Sequence, residues 1–581
     1  MSAVNRRIAA ALLGLTALNL AAYRFRRPLI ARWLGLPPAR YDVAVERNLP
    51  VPMPDGIVLR ADHYTPRPGG PFPTILIRSP YGRGREALPG GLAFMFIAQR
   101  FAERGYHVLF QDVRGRFDSG GAFDPLVHEA ADGRATADWI AQQPWFDGRL
   151  ATWGPSYLGY VQWALAATAP PYLKALVPII TGSEFTSSTF PDGAFALDTL
   201  LRWVAMLDAQ DRSGLNVLRG WRRQQAVLGD DRRLEAAFRH LPLEEADLVA
   251  VGQPVLFYRR WLTEPPTADA PRWRATDYSA AVAQVTAPVH LVGGWYDFLL
   301  RQLLADYTAL AAAGRAPYLT IGPWAHLDGG VLWEGLRAGL IWFGAQLKGD
   351  RSRLRARPVR YYLMGAEEWR EAEAWPPPAR ETPYFLHGGG RLAEAGPAAA
   401  DPPDRYRYDP ADPTPSLGGA LFNQNAGSRD DRALEARPDV LTYTTPPLAQ
   451  AVEAVGRARL VLYVRSSRAH TDFFGRLCDV RPDGRSFNVS DGLCRLAPGV
   501  GETQADGSLR LTVALWPSAY RFRPGHRLRL LVASGAHPRW SRNLGTGEPL
   551  ATAKTMFPAE QTIYHDAAHP SALILPLVSC P

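Results

Sequence analysis

The sequence predicts an α/β domain with a mainly parallel sheet, a helical insertion within that domain, and an all-β domain after it. Three observations support this fold class. Buried-type strands alternate with amphipathic helices up to about residue 184, as in βαβ units, and the alternation returns at about residue 286. Strand patterns disappear between those two regions. Beyond about residue 380, short alternating runs between turns replace the helical periodicity.

The chain is predicted to contain five segments. A chain of 581 residues is too long for one hydrophobic core, so two or three domains are expected. The segments are an N-terminal hydrophobic and basic segment at 1–40, the first part of the α/β domain at 41–184, a helical cap at 185–285, the second part of the α/β domain at 286–381, and a jelly-roll β-sandwich at 382–581.

The composition is that of a globular protein and argues against nucleic-acid binding. Hydrophobic residues make up 47% and charged residues 21% of the chain. The formal charge of +9 comes largely from dispersed arginines, with no long basic run in the body, so nucleic-acid binding is not expected. The three cysteines, Cys478, Cys494 and Cys580, show no zinc-site spacing. Cys478 and Cys494 could lie near each other in a β-hairpin region, but we expect them to be reduced, semi-buried thiols. No metal or cofactor is predicted.

The N-terminal segment carries an uncharged, mostly apolar run from Ile8 to Tyr23 with arginines on both sides. As a helix, this run reaches roughly 24 Å, short of a hydrocarbon core of about 30 Å. Arg24 to Leu36 then mixes arginine with apolar residues, as an interfacial helix does. The alternatives are a membrane anchor, a signal peptide and a helix packed on the protein. We expect an anchor that adds nothing to the core, which makes the protein membrane-associated or exported; a cytoplasmic location stays open.

The first α/β region begins with two strands between Tyr41 and Tyr64, around a turn at Pro54-Asp55-Gly56. Apolar runs and amphipathic runs then alternate. They predict strands at Pro73–Ser79, Tyr106–Asp112, Arg149–Trp153 and Ala175–Ile180, and helices at Phe94–Arg104, Ala130–Gln142 and Tyr160–Ala169.

The predicted cap, from about Phe185 to Thr276, is rich in arginine, leucine and alanine at helical spacing. Five aromatic residues recur there, and we expect most of them to form the cap's own core. They are Trp203, Trp221, Phe257, Tyr258 and Trp261.

The second α/β region and the β domain complete the chain. A strand at Pro288–Val292, a helix at Asp306–Ala313 and a strand at Tyr318–Ile321 restore the α/β alternation. Strands separated by Pro-, Gly- and Asp-rich turns follow, which predicts a sandwich or jelly roll. Examples are Arg459–Val464, Leu509–Ala514 and Leu528–Ala533.

Ser156 is the predicted nucleophile. It lies in Trp153-Gly154-Pro155-Ser156-Tyr157-Leu158-Gly159, between a predicted strand and a predicted helix. A serine on such a sharp turn is the nucleophile elbow of α/β-hydrolases, and glycines flank it where a side chain would crowd the turn. The second glycine comes one residue later than in G-x-S-x-G, so this pattern alone is weak evidence.

Two further residues complete a Ser, Asp, His order. Asp297 follows a strand in Gly294-Trp295-Tyr296-Asp297, and His326 follows the next strand in Gly322-Pro323-Trp324-Ala325-His326. This is the chain order of α/β-hydrolases, and the carboxyl ends of parallel strands meet at one edge of the sheet. A histidine can take the serine proton, and a carboxylate can orient the histidine and stabilise its charged form.

Together these motifs resemble those of the cocaine esterase (CocE/NonD) family of serine hydrolases, which is related to the X-prolyl dipeptidyl-peptidase family. The resemblance runs from about residue 42 to the C-terminus, and only the set of motifs is specific. The motifs outside the three site segments are Arg78-Ser79-Pro80-Tyr81-Gly82, Gln111-Asp112-Val113-Arg114-Gly115-Arg116, Gln143-Pro144-Trp145, Leu347-Lys348-Gly349, Met364-Gly365 with Trp369, Thr471-Asp472-Phe473, Pro482-Asp483-Gly484-Arg485-Ser486 and His569-Pro570-Ser571.

The resemblance implies an α/β-hydrolase domain, a helical cap and a C-terminal jelly roll. It also implies roles for the site residues. Ser156 is the nucleophile, His326 the general base and acid, and Asp297 the orienting carboxylate. The oxyanion hole consists of the Tyr81 hydroxyl and the Tyr157 backbone N–H.

The leading function is hydrolysis of a small-molecule ester or amide through an acyl-enzyme. The alternative within enzymes is an X-prolyl dipeptidyl-peptidase, which must hold a substrate ammonium in its acyl pocket. Glu184 and Asp192 are the candidate carboxylates, although a solvated surface role is expected for both. An α-amino acid ester hydrolase also needs acidic groups there. The alternative from another class is an inactive protein whose jelly roll binds a glycan or a partner. The sequence leaves open whether the chain forms a homodimer.

Overall fold

The computed structural model describes residues 27–84, 90–212, 217–229, 231–264, 266–267 and 270–579. These residues form an α/β domain, a helical layer over one edge of its sheet, and a C-terminal β domain, which confirms the predicted fold class. The apolar run Ile8–Tyr23 and Cys580 lie outside the described residues.

The α/β domain contains a ten-stranded sheet in the order β1-β2-β4-β3-β5-β6-β7-β8-β9-β10. Strands β3 to β9 are parallel to their neighbours, and β1, β2 and β10 are antiparallel additions at the two edges. The strands are β1 Asp42–Pro52, β2 Val58–Arg67, β3 Phe72–Ser79, β4 His107–Asp112, β5 Phe146–Pro155, β6 Leu173–Ile179, β7 His290–Tyr296, β8 Tyr318–Ala325, β9 Val359–Leu363 and β10 Glu368–Ala372.

Helices cover both faces of this sheet. Alternate residues of β3 belong to different buried clusters, Ile75 and Ile77 to one and Leu76 to the other, because successive side chains of a strand point to opposite faces. One cluster contains Phe101 and the other Ile140, which lie on helices of opposite faces. The helices of this domain are Gly90–Ala102, Glu129–Ala141, Tyr157–Ala166, Leu300–Ala312 and Gly329–Lys348.

The helical layer is inserted between β6 and β7 and has a hydrophobic core of its own. Tyr258 and Trp261 are buried in that core, as expected for most of the cap aromatics, whereas Trp221 is 48% exposed. Its α-helices are Thr186–Thr189, Leu197–Asp211, Val217–Leu228, Arg232–Arg239, Ala246–Val251, Leu256–Thr263, Pro271–Ala275 and Ser279–Val282, with 3-10 turns at Pro191–Gly193 and Leu243–Glu245.

The described part of the C-terminal domain contains strands β11 to β24, a short α-helix at Arg432–Glu435 and a 3-10 turn at Gly388–Gly390. A buried apolar cluster continues from the α/β domain into this domain, so the two share an interior. Cys478 and Cys494, on adjacent strands β17 and β18, are both free thiols. The strands are β11 Arg380–His387, β12 Arg391–Ala393, β13 Asp404–Tyr408, β14 Leu441–Thr444, β15 Val452–Gly456, β16 Arg459–Ser466, β17 Thr471–Val480, β18 Ser486–Leu496, β19 Glu502–Thr503, β20 Leu509–Ala514, β21 Ser518–Phe522, β22 Arg527–Ala533, β23 Ala559–Tyr564 and β24 Ala572–Leu577.

Residues 27–40 pack on the α/β domain. A helix at 27–33 places Ala31 in the buried cluster beneath it, and Leu36 joins the same cluster. The Arg104 side chain donates a hydrogen bond to the Pro37 carbonyl at 2.9 Å. The expectation that the first 40 residues add nothing to the core is therefore wrong for this part. Among the described residues, no helix is long and apolar enough to cross a membrane.

Candidate active site

Ser156 lies on a strained turn between β5 and the helix Tyr157–Ala166. Its φ of 55° and ψ of −124° are unusual for a residue with a side chain, and such strain is typical of a nucleophile elbow. A Cβ at Gly154 would lie 2.4 Å from Leu158 Cβ, and one at Gly159 would lie 2.4 Å from Thr181 Cγ2. The late second glycine is therefore needed for the approach of Thr181, in the loop after β6, while Leu158 occupies the position that G-x-S-x-G gives to glycine.

The structure brings Ser156, His326 and Asp297 together. His326 follows β8 directly and Asp297 follows β7, so both side chains lie at the same sheet edge as the elbow. His326 Nε2 is 3.0 Å from Ser156 Oγ, and His326 Nδ1 is 2.6 Å from Asp297 Oδ1. Because the carboxylate can only accept, Nδ1 carries a proton and Nε2 is free to accept the serine proton.

The loop of Asp297 is held by the C-terminal domain. Trp516, which precedes β21, donates its indole N–H to the Asp297 carbonyl at 3.2 Å. The Arg301 guanidinium lies over the Trp516 ring at 4.4 Å from its centre. Phe298 and Phe422 pack against the His326 ring, with centroids 4.3 and 5.4 Å away. Two β-domain residues, Trp516 and Phe422, thus help to fix the Asp297 loop and the His326 ring.

Tyr81 and Tyr157 flank Ser156. Tyr81 follows β3 by two residues, and its hydroxyl interacts with the side chains of Trp203 and Ser156. Burial raises the pKa of Tyr81 to about 12, only partly offset by those hydrogen bonds, so the hydroxyl stays protonated and can donate at neutral pH. Tyr157 is the first residue of its helix, where the backbone N–H has no partner within the helix.

Behind Tyr157 lies a buried polar network. The Tyr157 hydroxyl donates to Glu129 Oε1 at 2.7 Å and accepts from the Leu126 N–H at 2.9 Å. Glu129 also forms a buried ion pair with Arg78 at 2.9 Å. This network fixes the ring of the residue that follows Ser156 directly.

Two cavities border Ser156 and share Tyr81 and Phe422. The first lies between the cap and the α/β domain, and the second reaches His326. The other residues of the first are Pro125, Leu126, Tyr157, Phe185, Thr199, Leu200, Trp203, Trp261 and Phe298. The other residues of the second are Phe94, Pro155, Ile180, Met206, Gln210, Gln224, Leu327, Asp328 and Leu332.

The two carboxylates considered for an ammonium site do not line either cavity. Glu184 is bonded to the Ser187 N–H at 2.9 Å, and Asp192 pairs with Arg301 at 2.6 Å. The sequence does not reveal Phe422 or Trp516 as site residues, because nothing local marks a residue that reaches the site from another domain. Within the described part of the chain, no three His, Cys, Asp or Glu side chains cluster as metal ligands do.

Comparison with known proteins identifies the family to which both domains belong. Residues 55–328 match the X-Pro dipeptidyl-peptidase (S15) family, and residues 354–574 match the X-Pro dipeptidyl-peptidase C-terminal non-catalytic domain. The cocaine esterase of Rhodococcus sp. strain MB1 Bresler is 32% identical over 581 residues, covering 92% of this chain and 99% of that protein.

Solved structures show the same fold. An aminopeptidase from a marine-sediment Thaumarchaeota archaeon has a TM-score of 0.77 at 23% identity, and an α-amino acid ester hydrolase has a TM-score of 0.77 at 24% identity. Each comparison covers 93% of this chain and 97% of the other.

The protein is therefore an enzyme of the serine hydrolase class with an α/β-hydrolase core. Within that class, the chain belongs to the cocaine esterase-like (CocE/NonD) family, which is related to the X-prolyl dipeptidyl-peptidases.

Proposed function

We propose that the enzyme hydrolyses carboxylic esters through an acyl-enzyme on Ser156. The observation that carries this proposal is the continuous hydrogen-bond chain from Ser156 through His326 to Asp297, with separations of 3.0 and 2.6 Å. These separations suit proton transfer in both directions between the serine and the imidazole.

In the proposed reaction, Ser156 Oγ attacks the ester carbonyl carbon while His326 Nε2 takes the hydroxyl proton. The carbonyl oxygen becomes an oxyanion, which accepts hydrogen bonds from the Tyr81 hydroxyl and the Tyr157 N–H. His326 then gives its proton to the departing alkoxide as the ester C–O bond breaks. Water attacks the acyl-enzyme by the same route, and Asp297 stabilises the imidazolium in both halves.

We assign the first cavity to the acyl group and the second to the leaving group. His326 must protonate the leaving oxygen, and it lines only the second cavity, whereas Tyr157 lines only the first. Within the described residues, the lining of the first cavity contains aromatic and aliphatic groups and no carboxylate. A charged ammonium there would lose its hydration without gaining a carboxylate partner, so a neutral, apolar acyl group fits best.

The second cavity is more polar and suits a leaving group with hydrogen-bonding groups. Gln210 and Gln224 bring side-chain amides from two cap helices. The α/β domain contributes the Asp328 carboxylate, which also accepts a hydrogen bond from the Gly330 N–H at 2.9 Å. Amides both donate and accept, so they accommodate hydroxyl or amine substituents on the leaving alcohol.

A substrate panel tests the proposal. The purified enzyme is assayed with p-nitrophenyl esters of acetate, butyrate and benzoate, and with dipeptide Xaa-Pro p-nitroanilides as the competing class. We expect ester turnover with kcat/KM for every ester well above that for every anilide. A higher kcat/KM for the Xaa-Pro anilides than for the esters would instead support the peptidase alternative. That result would also contradict the assignment of the apolar acyl cavity, because such a peptidase needs an ammonium site there.

We also propose that the N-terminal segment associates with a membrane surface. The support is the apolar run Ile8–Tyr23 between arginines, followed by a helix that exposes Leu29 by 59% and Trp33 by 78%. Arginine, tryptophan and leucine together suit an interface between lipid headgroups and acyl chains. Co-sedimentation with anionic phospholipid vesicles tests this second proposal independently of catalysis.

A further inference from the structure

Trp203 connects the cap to the proposed oxyanion hole. Its indole N–H, on the helix Leu197–Asp211, donates to the Tyr81 hydroxyl oxygen over 3.0 Å. Its ring lies nearly parallel to that of Tyr157, with an interplanar angle of 15° and centroids 6.4 Å apart. One cap residue therefore contacts both tyrosines that the proposed mechanism uses.

The chemistry of the two groups determines the direction of the Tyr81 proton. An indole N–H can only donate, so the Tyr81 oxygen accepts from Trp203 with one lone pair. The hydroxyl proton then cannot point at Trp203 and is left for the second partner of the hydroxyl, the Ser156 side chain. A hydroxyl that accepts one hydrogen bond also becomes a stronger donor in the next.

The helix that carries Trp203 is attached at both ends. At its start, the Asp198 N–H donates to the Pro538 carbonyl at 2.9 Å, and Asn423 donates to the Asp198 carboxylate at 3.1 Å. At its end, Asp211 pairs with Arg116 at 2.9 Å. The helix thus has contacts with both other domains, which limit its movement relative to the elbow.

Arg116 gives the cap helix and the Tyr81 loop a second connection. Its Nε donates to the carbonyl of Pro80, the residue before Tyr81, at 2.9 Å, while its terminal nitrogen holds Asp211. The backbone next to Tyr81 and the hydroxyl at the end of its side chain are therefore both tied to one cap helix.

We propose that Trp203 is a positioning residue for catalysis, which holds the Tyr81 hydroxyl as an oxyanion donor. The cap then completes the catalytic machinery as well as enclosing the acyl group. This inference rests on the proposed role of Tyr81 and extends it to a residue that makes no direct contact with the oxyanion.

A double-mutant cycle tests the proposal. Trp203→Phe, Tyr81→Phe and the double variant are compared with the parent on p-nitrophenyl acetate, whose acyl group is too small to depend on the whole aromatic cavity. We expect Trp203→Phe to lower kcat about three- to tenfold, which corresponds to the usual free-energy contribution of one neutral hydrogen bond. KM should change less than about twofold. In the Tyr81→Phe background, Trp203→Phe should change kcat by less than about twofold, because its partner is already gone.

Trp261→Phe is the matched control. Trp261 lines the same cavity and packs on Trp203 with centroids 6.0 Å apart, but its contacts there do not include the Tyr81 hydroxyl. The change in kcat caused by Trp261→Phe should differ between the acetate and benzoate esters. It should be the same whether position 81 carries Tyr or Phe. If Trp203→Phe behaves in this way instead, Trp203 is an acyl-pocket residue and the proposal is overturned.

Loss of folding is separated from loss of positioning by two measurements. Thermal unfolding and complete labelling with a fluorophosphonate probe show whether Trp203→Phe retains the site. If it does not fold, β-(3-benzothienyl)alanine at position 203 keeps the bicyclic shape and replaces only the N–H by sulfur. That variant should show the same fall in kcat, and unchanged kcat would refute the positioning role. Absence of both labelling and ester turnover in the parent would instead refute the proposed function itself.

Discussion

The Tyr81 hydroxyl offers the sharpest single-atom test of the site. Tyr81→Phe deletes one oxygen that interacts with Ser156 and Trp203 and leaves the ring in place. A donor that meets full negative charge only as the tetrahedral intermediate forms affects turnover more than binding. Losing one such donor costs about 3–4 kcal/mol of transition-state stabilisation, which corresponds to a fall in kcat of about 10²–10³. KM should change less than about threefold.

The same change has a cost in stability that the structure makes specific. Without the Tyr81 oxygen, the half-buried Trp203 N–H loses its acceptor. An unsatisfied donor of this kind costs about 1–3 kcal/mol, so the free energy of unfolding should fall modestly while the enzyme remains folded at 25 °C.

Steady-state kinetics on p-nitrophenyl butyrate, with the active enzyme counted by fluorophosphonate titration, measures the effect on turnover. Ser156 should still label in Tyr81→Phe, but slowly. If Tyr81→Phe turns over the ester within a factor of about three of the parent, its hydroxyl is not an oxyanion donor and Tyr81 is a packed loop residue.

Two further predictions concern the elbow and the N-terminus. Gly159→Ala should lower the free energy of unfolding by about 1–3 kcal/mol and reduce kcat, because the new Cβ would lie 2.4 Å from the buried Thr181, which donates to the Ser156 carbonyl. Gly69→Ala, with open space around it, is the control, and equal melting temperatures for the two variants would contradict the packing argument. A chain that begins at Arg27 should remain folded and active but bind vesicles more weakly, because it lacks the apolar run Ile8–Tyr23 and keeps the exposed Leu29 and Trp33. A chain that begins at Asp42 lacks these residues and the buried Leu36, so it should not bind vesicles and should be about 2–5 kcal/mol less stable. Equal stability of the two chains, or vesicle binding by the Asp42 chain, would contradict these expectations.

Local patterns in the sequence predicted much of the fold. Strands such as Pro73–Ser79 and Tyr106–Asp112 appear within one or two residues of their predicted bounds, because a buried parallel strand is a short apolar run between turn residues. The grouping of Ser156, Asp297 and His326 followed from the same patterns. Each residue ends a strand that the sequence already marked, and parallel strands bring their carboxyl ends to one edge.

Long-range contacts account for what the sequence did not predict. Phe422 and Trp516 reach the site from the β domain, and their distance from the catalytic motifs in sequence hides them. The hydrogen bond from Trp203 to Tyr81 depends on how the cap lies on the sheet edge, which helical periodicity does not specify. Likewise, the burial of Leu36 depends on a groove formed by other segments.

The proposed mechanism requires Ser156 to be the catalytic nucleophile, and covalent trapping tests this claim directly. The parent is treated with a fluorophosphonate, digested and analysed by mass spectrometry, with Ser156→Ala treated in parallel. We expect one phosphonylated residue, Ser156, in the parent. Ser156→Ala should show no adduct and no more than a residual trace of esterase activity. Its melting temperature should match that of the parent, because the elbow accepts a small side chain. An adduct on another residue, or Ser156→Ala retaining more than a few per cent of parental activity, would contradict the claim.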